Sequence, residues 1–218
     1  MPRLALVHTV PALIERFRPL FAQALPDWQS YNIADESLLQ DTIRDGSPSE
    51  VTVRRLAAYV CGAAEAGADA IVVTCSSLGD ATDALRPLIP VPLFRIDRGM
   101  AAAAVTRAPR IGVLATLSTT LGPTSRLIRT EATIAGRDCT VIDRVCDGAF
   151  ERLMVGDRSG HDENVRAAFG ELATRVDIVV LAQASMAGAL TSAEPTTVPV
   201  LTSPELGVSY IATQLAAA

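Results

Sequence analysis

Short apolar runs alternate along the chain with longer segments in which apolar residues recur every three or four positions. The runs are rich in Val, Ile, Leu and Ala, which is typical of parallel strands covered on both faces. The longer segments have the spacing of amphipathic helices. This repeated alternation predicts an α/β protein built on mostly parallel sheets.

The pattern predicts strands near residues 3–8, 29–33, 69–74, 91–94, 110–115, 139–143, 177–182 and 198–201. It predicts helices near residues 11–24, 49–66, 78–87, 97–106, 120–134, 161–175 and 204–217. We expect the segments near 35–48 and 144–162 to be loops that shape a pocket.

Three segments of the first half recur in the second half, in the same order. The pairs are "RLALVHT" (3–9) with "RIGVLAT" (110–116), "DAIVVTCSS" (69–77) with "DIVVLAQAS" (177–185), and "VPLF" (91–94) with "VPVL" (198–201). The nearly constant shift favours a duplication over chance likeness between strands.

A duplication predicts two pseudo-symmetric lobes, each a mostly parallel sheet flanked by helices. We assign residues 1–97 and 204–218 to the first lobe and residues 98–203 to the second. Ligands of such sheets bind beyond the carboxyl ends of the strands. The expected site is therefore the cleft between the lobes.

Composition excludes several classes of function. The net charge is -5 and no basic cluster exceeds Arg54-Arg55, so no nucleic-acid partner is expected. All 19 basic residues are Arg, which excludes a lysine Schiff base with pyridoxal phosphate and a phosphate-binding P-loop. With 2 His in the chain, we expect no metal site and no cofactor.

Apolar runs and cysteine spacing bear on where the protein is located. No apolar run reaches the length of a membrane span, so no membrane association is expected. The 4 Cys form no C-x-x-C pair, which favours a reducing cytoplasm over a disulfide framework. The sequence leaves open whether the protein forms a homo-oligomer.

Polar residues follow the predicted strands where each strand ends, and they form the candidate site. In the first half they are His8, Thr9, Cys75, Ser76 and Ser77; in the second half they are Thr116, Thr119, Gln183, Ala184 and Ser185. Hydroxyl and strand-end N–H donors hold anions without a fixed cation, so the set predicts a small carboxylate or amino-acid-like substrate. Helix capping is the alternative role for the hydroxyls.

With these segments identified, the chain resembles the aspartate/glutamate racemase superfamily, which includes hydantoin racemases, maleate isomerases and arylmalonate decarboxylases. The resemblance rests on "LALVHT", "GADAIVVTCSS", "RIGVLATLSTT" and "VDIVVLAQASMAG", in this order. It implies two lobes, no cofactor and a site between the lobes. In the racemases, one cysteine from each half flanks the carbon next to a carboxylate.

The resemblance places Cys75 at the first-half cysteine, with Ser76 and Ser77 where the family often has Asn and Thr. It places Thr116 and Thr119 at hydroxyls that help to hold a carboxylate. His8 stands where glutamate racemases carry an acid that assists the cysteine.

The second half departs from the family pattern because its cysteine is missing. Counting from Asp177 as from Asp69 places Gln183 at the second-cysteine position, and a slip of one residue would place Ala184 there. Neither side chain is an acid or base near neutral pH.

These observations lead to one leading hypothesis and two alternatives. The leading hypothesis is a cofactor-independent racemase or isomerase acting on the carbon next to a carboxylate. In it, Cys75 is the acid/base or nucleophile, His8 tunes it, and Gln183 donates to a developing oxyanion. The alternatives are a decarboxylase or other lyase with a single cysteine, and a non-catalytic protein that binds small carboxylates.

Four other residues of chemical interest are expected to lie outside the site. We expect Cys61 to pack within its helix, and Cys139 and Cys146 to flank a peripheral strand. His161 is expected in an exposed loop or at the start of a helix.

Overall fold

The structure is a computed structural model and describes residues 1–191 and 198–217. Its strands, in chain order, are β1 (Arg3–His8), β2 (Gln29–Ala34), β3 (Ala70–Val73), β4 (Leu93–Arg95), β5 (Arg110–Ala115), β6 (Thr140–Val145), β7 (Ile178–Leu181) and β8 (Val200–Thr202). Each lies within a few residues of a predicted strand.

The α-helices of the described residues are α1 (Leu13–Ala24), α2 (Ser37–Asp45), α3 (Glu50–Glu65), α4 (Gly79–Leu85), α5 (Arg98–Arg107), α6 (Ser118–Ile134), α7 (Ala149–Met154), α8 (Arg158–Ala173), α9 (Ala187–Thr191) and α10 (Ser203–Ala216). Short 3-10 turns, Ser76–Leu78 and Ala184–Met186, precede α4 and α9.

The strands form two four-stranded sheets, in the orders β2-β1-β3-β4 and β6-β5-β7-β8. Every pairing is parallel. The predicted α/β architecture of two similar parallel sheets flanked by helices is therefore confirmed. Because β1 and β5 are interior strands, the residues that follow them lie in the middle of the carboxyl edge of each sheet.

The chain divides into two compact units. The first unit comprises Met1–Gly99 and the chain from Gly207 on, and the second comprises Met100–Leu206. The predicted lobe boundaries lie a few residues earlier in the chain. In the first unit, alternate residues of β1 enter two separate apolar cores, one on each face of the sheet. The sheet of the second unit also has a core on each face.

Helix α10 supplies the first unit with part of its core. Val208 and Ile211 are buried against a cluster that contains Leu4 and Leu6 of β1. A Cβ atom added at Gly207 would lie 1.9 Å from the carbonyl oxygen of Ile96. No side chain fits in that space, so glycine is required where the helix meets the end of β4.

Three helices were not predicted, and two of them lie in segments that were expected to be loops. Helix α2 buries only Leu38 and Thr42, and α7 buries only Ala149. Helix α9 is also short, at 5 residues. Helices of 5 to 9 residues with so few buried positions give only a weak periodic signal in the sequence.

Candidate functional site

The carboxyl edge of the first sheet carries Cys75 in a short turn. Strand β3 ends at Val73, and Cys75 is the extended residue (φ -109°, ψ 111°) that begins the 3-10 turn Ser76–Leu78. Its carbonyl oxygen accepts from the N–H of Leu78 at 3.1 Å. The thiol is held between the end of a buried strand and the start of a helix.

Three donors converge on the Cys75 sulfur. The Thr9 side chain and the backbone N–H groups of Ser77 and Leu78 hydrogen-bond it. Burial nevertheless raises the pKa of Cys75, and the Asp97 carboxylate raises it further, against the lowering effect of the donors. The resting group is therefore a thiol, and its thiolate, when formed, is a stronger base than an exposed one.

His8 is the last residue of β1, and its hydrogen bonds are formed with residues other than Cys75. Its Nε2 lies 2.9 Å from Asn32 Oδ1, and its Nδ1 lies 2.9 Å from the Thr74 hydroxyl. Burial lowers its pKa, partly offset by the bond with Asn32, so the imidazole is neutral at pH 7. Neither bond involves Cys75, and a tuning role for His8 stays a prediction.

A buried ion pair joins the last residue of β4 to Asp97 in the same unit. Arg95 donates to both carboxylate oxygens of Asp97, at 2.7 and 2.9 Å, and to Asp83 at 2.8 Å. Asp97 is 0% exposed and Arg95 is 2% exposed. Because Asp97 acts on the pKa of Cys75, the guanidinium that neutralises it also limits that effect.

The second unit repeats the turn with a different side chain. Strand β7 ends at Leu181, and Gln183 is the extended residue (φ -123°, ψ 135°) that begins the 3-10 turn Ala184–Met186. Its carbonyl oxygen accepts from the N–H of Met186 at 3.1 Å. Gln183 thus has the local position of Cys75, and Ala184 has that of Ser76.

Thr116 fixes the orientation of the Gln183 amide. Gln183 Oε1 accepts from the backbone N–H of Thr116 at 2.6 Å and from its hydroxyl at 3.0 Å. Since a backbone N–H only donates, the contacting atom must be the amide oxygen. The amide nitrogen, which has no partner among the described residues, is left as a donor for an anion.

Thr119 adds a buried hydroxyl to the same edge of the second sheet. It lies in the first turn of α6, is 7% exposed, and its Oγ1 has no hydrogen-bond partner in the described chain. Thr116 is also buried, at 5% exposure. An unpaired hydroxyl in such a position is costly without a ligand.

The remaining predicted residues lie in the two turns. Ser76, Ser77 and Ala184 are buried, and Ser185 is half-buried. The structure therefore brings together Thr9 with Cys75 and Thr116 with Gln183. That one substrate contacts both pairs stays a prediction.

The expectation for Cys61 was wrong, and the expectation for His161 was right in part. Cys61 is exposed, because it lies on the outer face of α3 and not on its packed face. His161 lies in the first turn of α8, as one of the two alternatives predicted. It is only 1% exposed, because it lies on the core-facing stripe of that helix. Cys139 and Cys146 flank β6, an edge strand, as expected.

Sequence reasoning missed the groups that contact the predicted residues. Asn32 and Thr74 hold His8, and Asp97 acts on Cys75. The available signal was a polar residue inside or directly after an otherwise apolar strand. In the described residues, no three His, Cys, Asp or Glu side chains are grouped closely enough to hold a metal ion. In the same residues, no helix has the length and apolar character to span a membrane.

Comparisons with known proteins agree with this architecture. Solved structures similar to the chain include a putative Asp/Glu racemase from Yersinia pestis, which is 17% identical with a TM-score of 0.76 and coverage of 98% of this chain and 99% of that one. A glutamate racemase from Bacillus anthracis is 17% identical with a TM-score of 0.75, over 99% and 82% of the two chains. An allantoin racemase from Klebsiella pneumoniae is 19% identical with a TM-score of 0.69, over 100% and 88%. At these identities the likeness establishes the fold.

Sequence comparison establishes the family. No curated protein sequence matches the chain significantly. The model of one family, described as Asp/Glu/Hydantoin racemase, matches residues 8–211, which is nearly the whole chain and includes both turns. The chain therefore belongs to the Asp/Glu/hydantoin racemase family.

Proposed function

We propose that the protein is a cofactor-independent isomerase that acts on the carbon next to a carboxylate of a small acid or amino acid, with Cys75 as its acid/base. Family membership supports the racemase-type reaction. The observation that carries the specific proposal is the buried Cys75 sulfur with three donors directed at it.

The environment of Cys75 suits removal of a weakly acidic proton. Burial raises the pKa of the thiol, so a thiolate formed there binds a proton more strongly than one in water. The Thr9 hydroxyl and two backbone N–H groups stabilise the negative charge of this thiolate, so that it can still form. General acid–base catalysis of this kind contributes about 10²–10⁴-fold in rate.

The second turn supplies donors for the charge that develops on the substrate. When a proton leaves the carbon next to a carboxylate, negative charge moves onto the carboxylate oxygens. The Gln183 amide nitrogen, held in place through its oxygen by Thr116, is a fixed donor for such an oxyanion. Thr119 Oγ1 is a second donor without a partner in the described residues.

Hydrogen exchange tests the proposal. The protein is incubated in D₂O with each enantiomer of aspartate and glutamate, and with methylmalonate, and the signal of the hydrogen on the reacting carbon is followed by NMR. We expect loss of this signal for at least one compound, with no loss in Cys75→Ala. The exposed Cys61→Ala is the matched control and should exchange like the unsubstituted protein.

A lyase with a single cysteine is the second candidate, favoured by Gln183 at the position of the second thiol. In that case a malonate-type substrate would lose carbon dioxide and take its proton from Cys75. Release of carbon dioxide from methylmalonate, with no exchange into the amino acids, would replace the isomerase proposal by this one.

The non-catalytic alternative has its own signature. In a protein that only binds carboxylates, one of these compounds would slow the alkylation of Cys75 by iodoacetamide, and no compound would exchange hydrogen. That outcome would overturn both enzymatic proposals.

A further inference from the structure

The guanidinium of Arg95 lies against the turn that carries Cys75. A Cβ atom added at Gly79, the first residue of α4, would lie 2.1 Å from Arg95 Nη2 and 2.3 Å from its Cζ. Gly79 directly follows the 3-10 turn that Cys75 begins, and its own angles are helical (φ -59°, ψ -47°). Its backbone conformation therefore does not require glycine, but the space taken by the guanidinium does.

Hydrogen bonds hold the guanidinium in this place from two sides. Nε donates to Asp97 Oδ1 at 2.7 Å and Nη2 donates to Asp97 Oδ2 at 2.9 Å, which is a bidentate pair. Nη1 donates to Asp83 of α4 at 2.8 Å. Since all three nitrogens of Arg95 are engaged, the buried pair has one orientation.

Strand register places Asp97 beside Cys75. Val73 of β3 is paired with Arg95 of β4, and the N–H of Ile96 donates to the carbonyl oxygen of Val73 at 3.1 Å. Cys75 and Asp97 each lie two residues beyond that register pair. The thiol and the carboxylate therefore follow neighbouring parallel strands at the same edge of the sheet, and the carboxylate raises the pKa of the thiol.

The second unit differs at every position of this arrangement. Its counterparts follow from strand register, in which Leu181 of β7 takes the place of Val73. The residues that correspond to Gly79, Arg95 and Asp97 are Ala187, Thr202 and Pro204. A buried ion pair is weak evidence for stability, because both charges must be removed from water. Its presence beside the thiol and not beside the amide favours a role in the chemistry of the thiol.

We propose that Arg95 and Asp97 are positioning residues of the first unit, which together set the charge that the Cys75 sulfur meets. This inference rests on the proposed function. Asp97 disfavours the thiolate, so the resting group keeps its proton and a thiolate formed there binds a proton strongly. Arg95 acts through Asp97, because its guanidinium compensates the carboxylate and so allows the thiolate to form. Gly79 leaves the room that this compensation needs.

The other ionisable groups on the elements packed around the turn have partners of their own. Their contacts are those of His8 with Asn32 and Thr74, of Asp35 with Arg55 and Tyr59, of Asp41 with Arg44 and Arg55, of Asp83 with Arg86, Arg95 and Arg98, and of Asp80 with Arg95. Asp97→Asn changes no side chain in these contacts, whereas Arg95→Gln also removes the partner of Asp83 and Asp80. The asparagine variant is therefore the more specific of the two.

The first test is the titration of Cys75, which needs no substrate. The ultraviolet absorbance of the thiolate is recorded against pH as the difference between each variant and the same variant carrying Cys75→Ala. Asp97→Asn should lower the midpoint and Arg95→Gln should raise it. At a pH below the midpoints, the thiolate fraction should then differ from that of the unsubstituted protein by about 10-fold or more in each case. The double variant, which removes both charges, should lie between the single ones.

The second test moves the guanidinium without changing any charge. Alanine is favourable in a helix, so Gly79→Ala suits the start of α4, but its Cβ displaces the guanidinium from Asp97. The midpoint should shift in the direction seen in Arg95→Gln. Gly62→Ala in α3, where a Cβ meets nothing within 4 Å, is the matched control and should leave the midpoint unaltered. The thermal unfolding of each variant, measured in parallel, separates loss of the ion pair from loss of fold.

The outcomes distinguish this inference from the proposed function. Unaltered midpoints in folded Asp97→Asn and Gly79→Ala would overturn the inference, and hydrogen exchange that still depends on Cys75 would leave the proposed function standing. Failure of Asp97→Asn and Arg95→Gln to fold, with an unaltered midpoint in folded Gly79→Ala, would also overturn it and assign the pair to stability alone. Midpoints in the expected order without hydrogen exchange of any compound would reject the proposed function and support only the electrostatic link.

Discussion

The turns that carry Cys75 and Gln183 share a backbone but differ in chemistry. Each begins two residues after a buried strand, in extended conformation, and leads through a 3-10 turn into a short helix. Each side chain hydrogen-bonds the threonine that follows the central strand, Thr9 or Thr116. Thr9 bonds the Cys75 thiol, which can lose a proton. Thr116 holds the Gln183 amide in a single orientation.

The difference teaches that the same position in the fold can carry side chains of different chemistry. In the first unit the strand-end residue can exchange a proton. In the second it forms hydrogen bonds but exchanges no proton near neutral pH. We therefore expect substitutions in the first turn to abolish turnover and those in the second to change affinity and stereochemical course.

The largest effect is expected at Cys75. Cys75→Ala should abolish hydrogen exchange, since no other described group of that turn is a base. Cys75→Ser should nearly abolish it, because a hydroxyl is a far weaker acid than a thiol. NMR-detected exchange measures both. Exchange in Cys75→Ala at the rate of the Cys61→Ala control would show that proton exchange does not depend on the thiol of the first turn.

A smaller effect is expected when Gln183 loses its donor. Gln183→Glu keeps an oxygen for Thr116 but puts a negative charge where the amide nitrogen lies. A hydrogen bond to a charged group is worth about 1.5–3 kcal/mol, so carboxylate affinity should fall roughly 10–150-fold by calorimetry. Gln214→Glu makes the same change at an exposed position and should leave affinity unaltered.

Gln183→Cys sharpens the same comparison. It places a thiol in each turn and should increase racemisation of any compound that the protein already exchanges. Chiral chromatography of the product measures this. A variant that folds, keeps Cys75 reactive and shows no gain would mean that the two turns do not serve one carbon.

Thr119 and Thr124 offer a matched pair for a subtler test. Both hydroxyls are buried on α6 without a partner in the part of the chain that the structure describes. Valine at either position removes an unpaired hydroxyl and should leave the free energy of unfolding within about 1 kcal/mol of the original, or raise it. Only Thr119→Val should weaken carboxylate binding. Equal losses of affinity in the two variants would remove Thr119 from the site.

The smallest effect concerns His8, which stands at the end of β1 where β5 ends in Ala115. Burial lowers the pKa of His8 below 6.5, so the unfolded chain binds a proton more readily than the folded protein. Stability should therefore rise with pH up to about 6.5 and be lost as pH falls below it. Urea unfolding between about pH 7.5 and about pH 5 should have a weaker pH dependence in His8→Gln than in the original chain.

The sequence predicted the strands well because a buried strand is a continuous apolar run. It also located the turns, since the spacing from Asp69 to Cys75 recurs from Asp177 to Gln183. It did not predict which threonine contacts which group, because Thr9 and Thr116 are distant in sequence from the residues they bond. The burial of His161 was missed for a related reason. Its neighbours in sequence are polar, and only the helix that follows shows that it begins a buried stripe.

The contribution of α10 to the first core has a consequence for how the protein is made. Val208 and Ile211 pack against Leu4 and Leu6, so the first unit needs residues that leave the ribosome after the entire second unit. At about 5–20 residues per second, that delay is on the order of ten seconds. The second unit, which is continuous in sequence, has all its residues available earlier. The half of the protein that is synthesised first is thus the last to complete its core, and until then the apolar face beneath α10 stays uncovered.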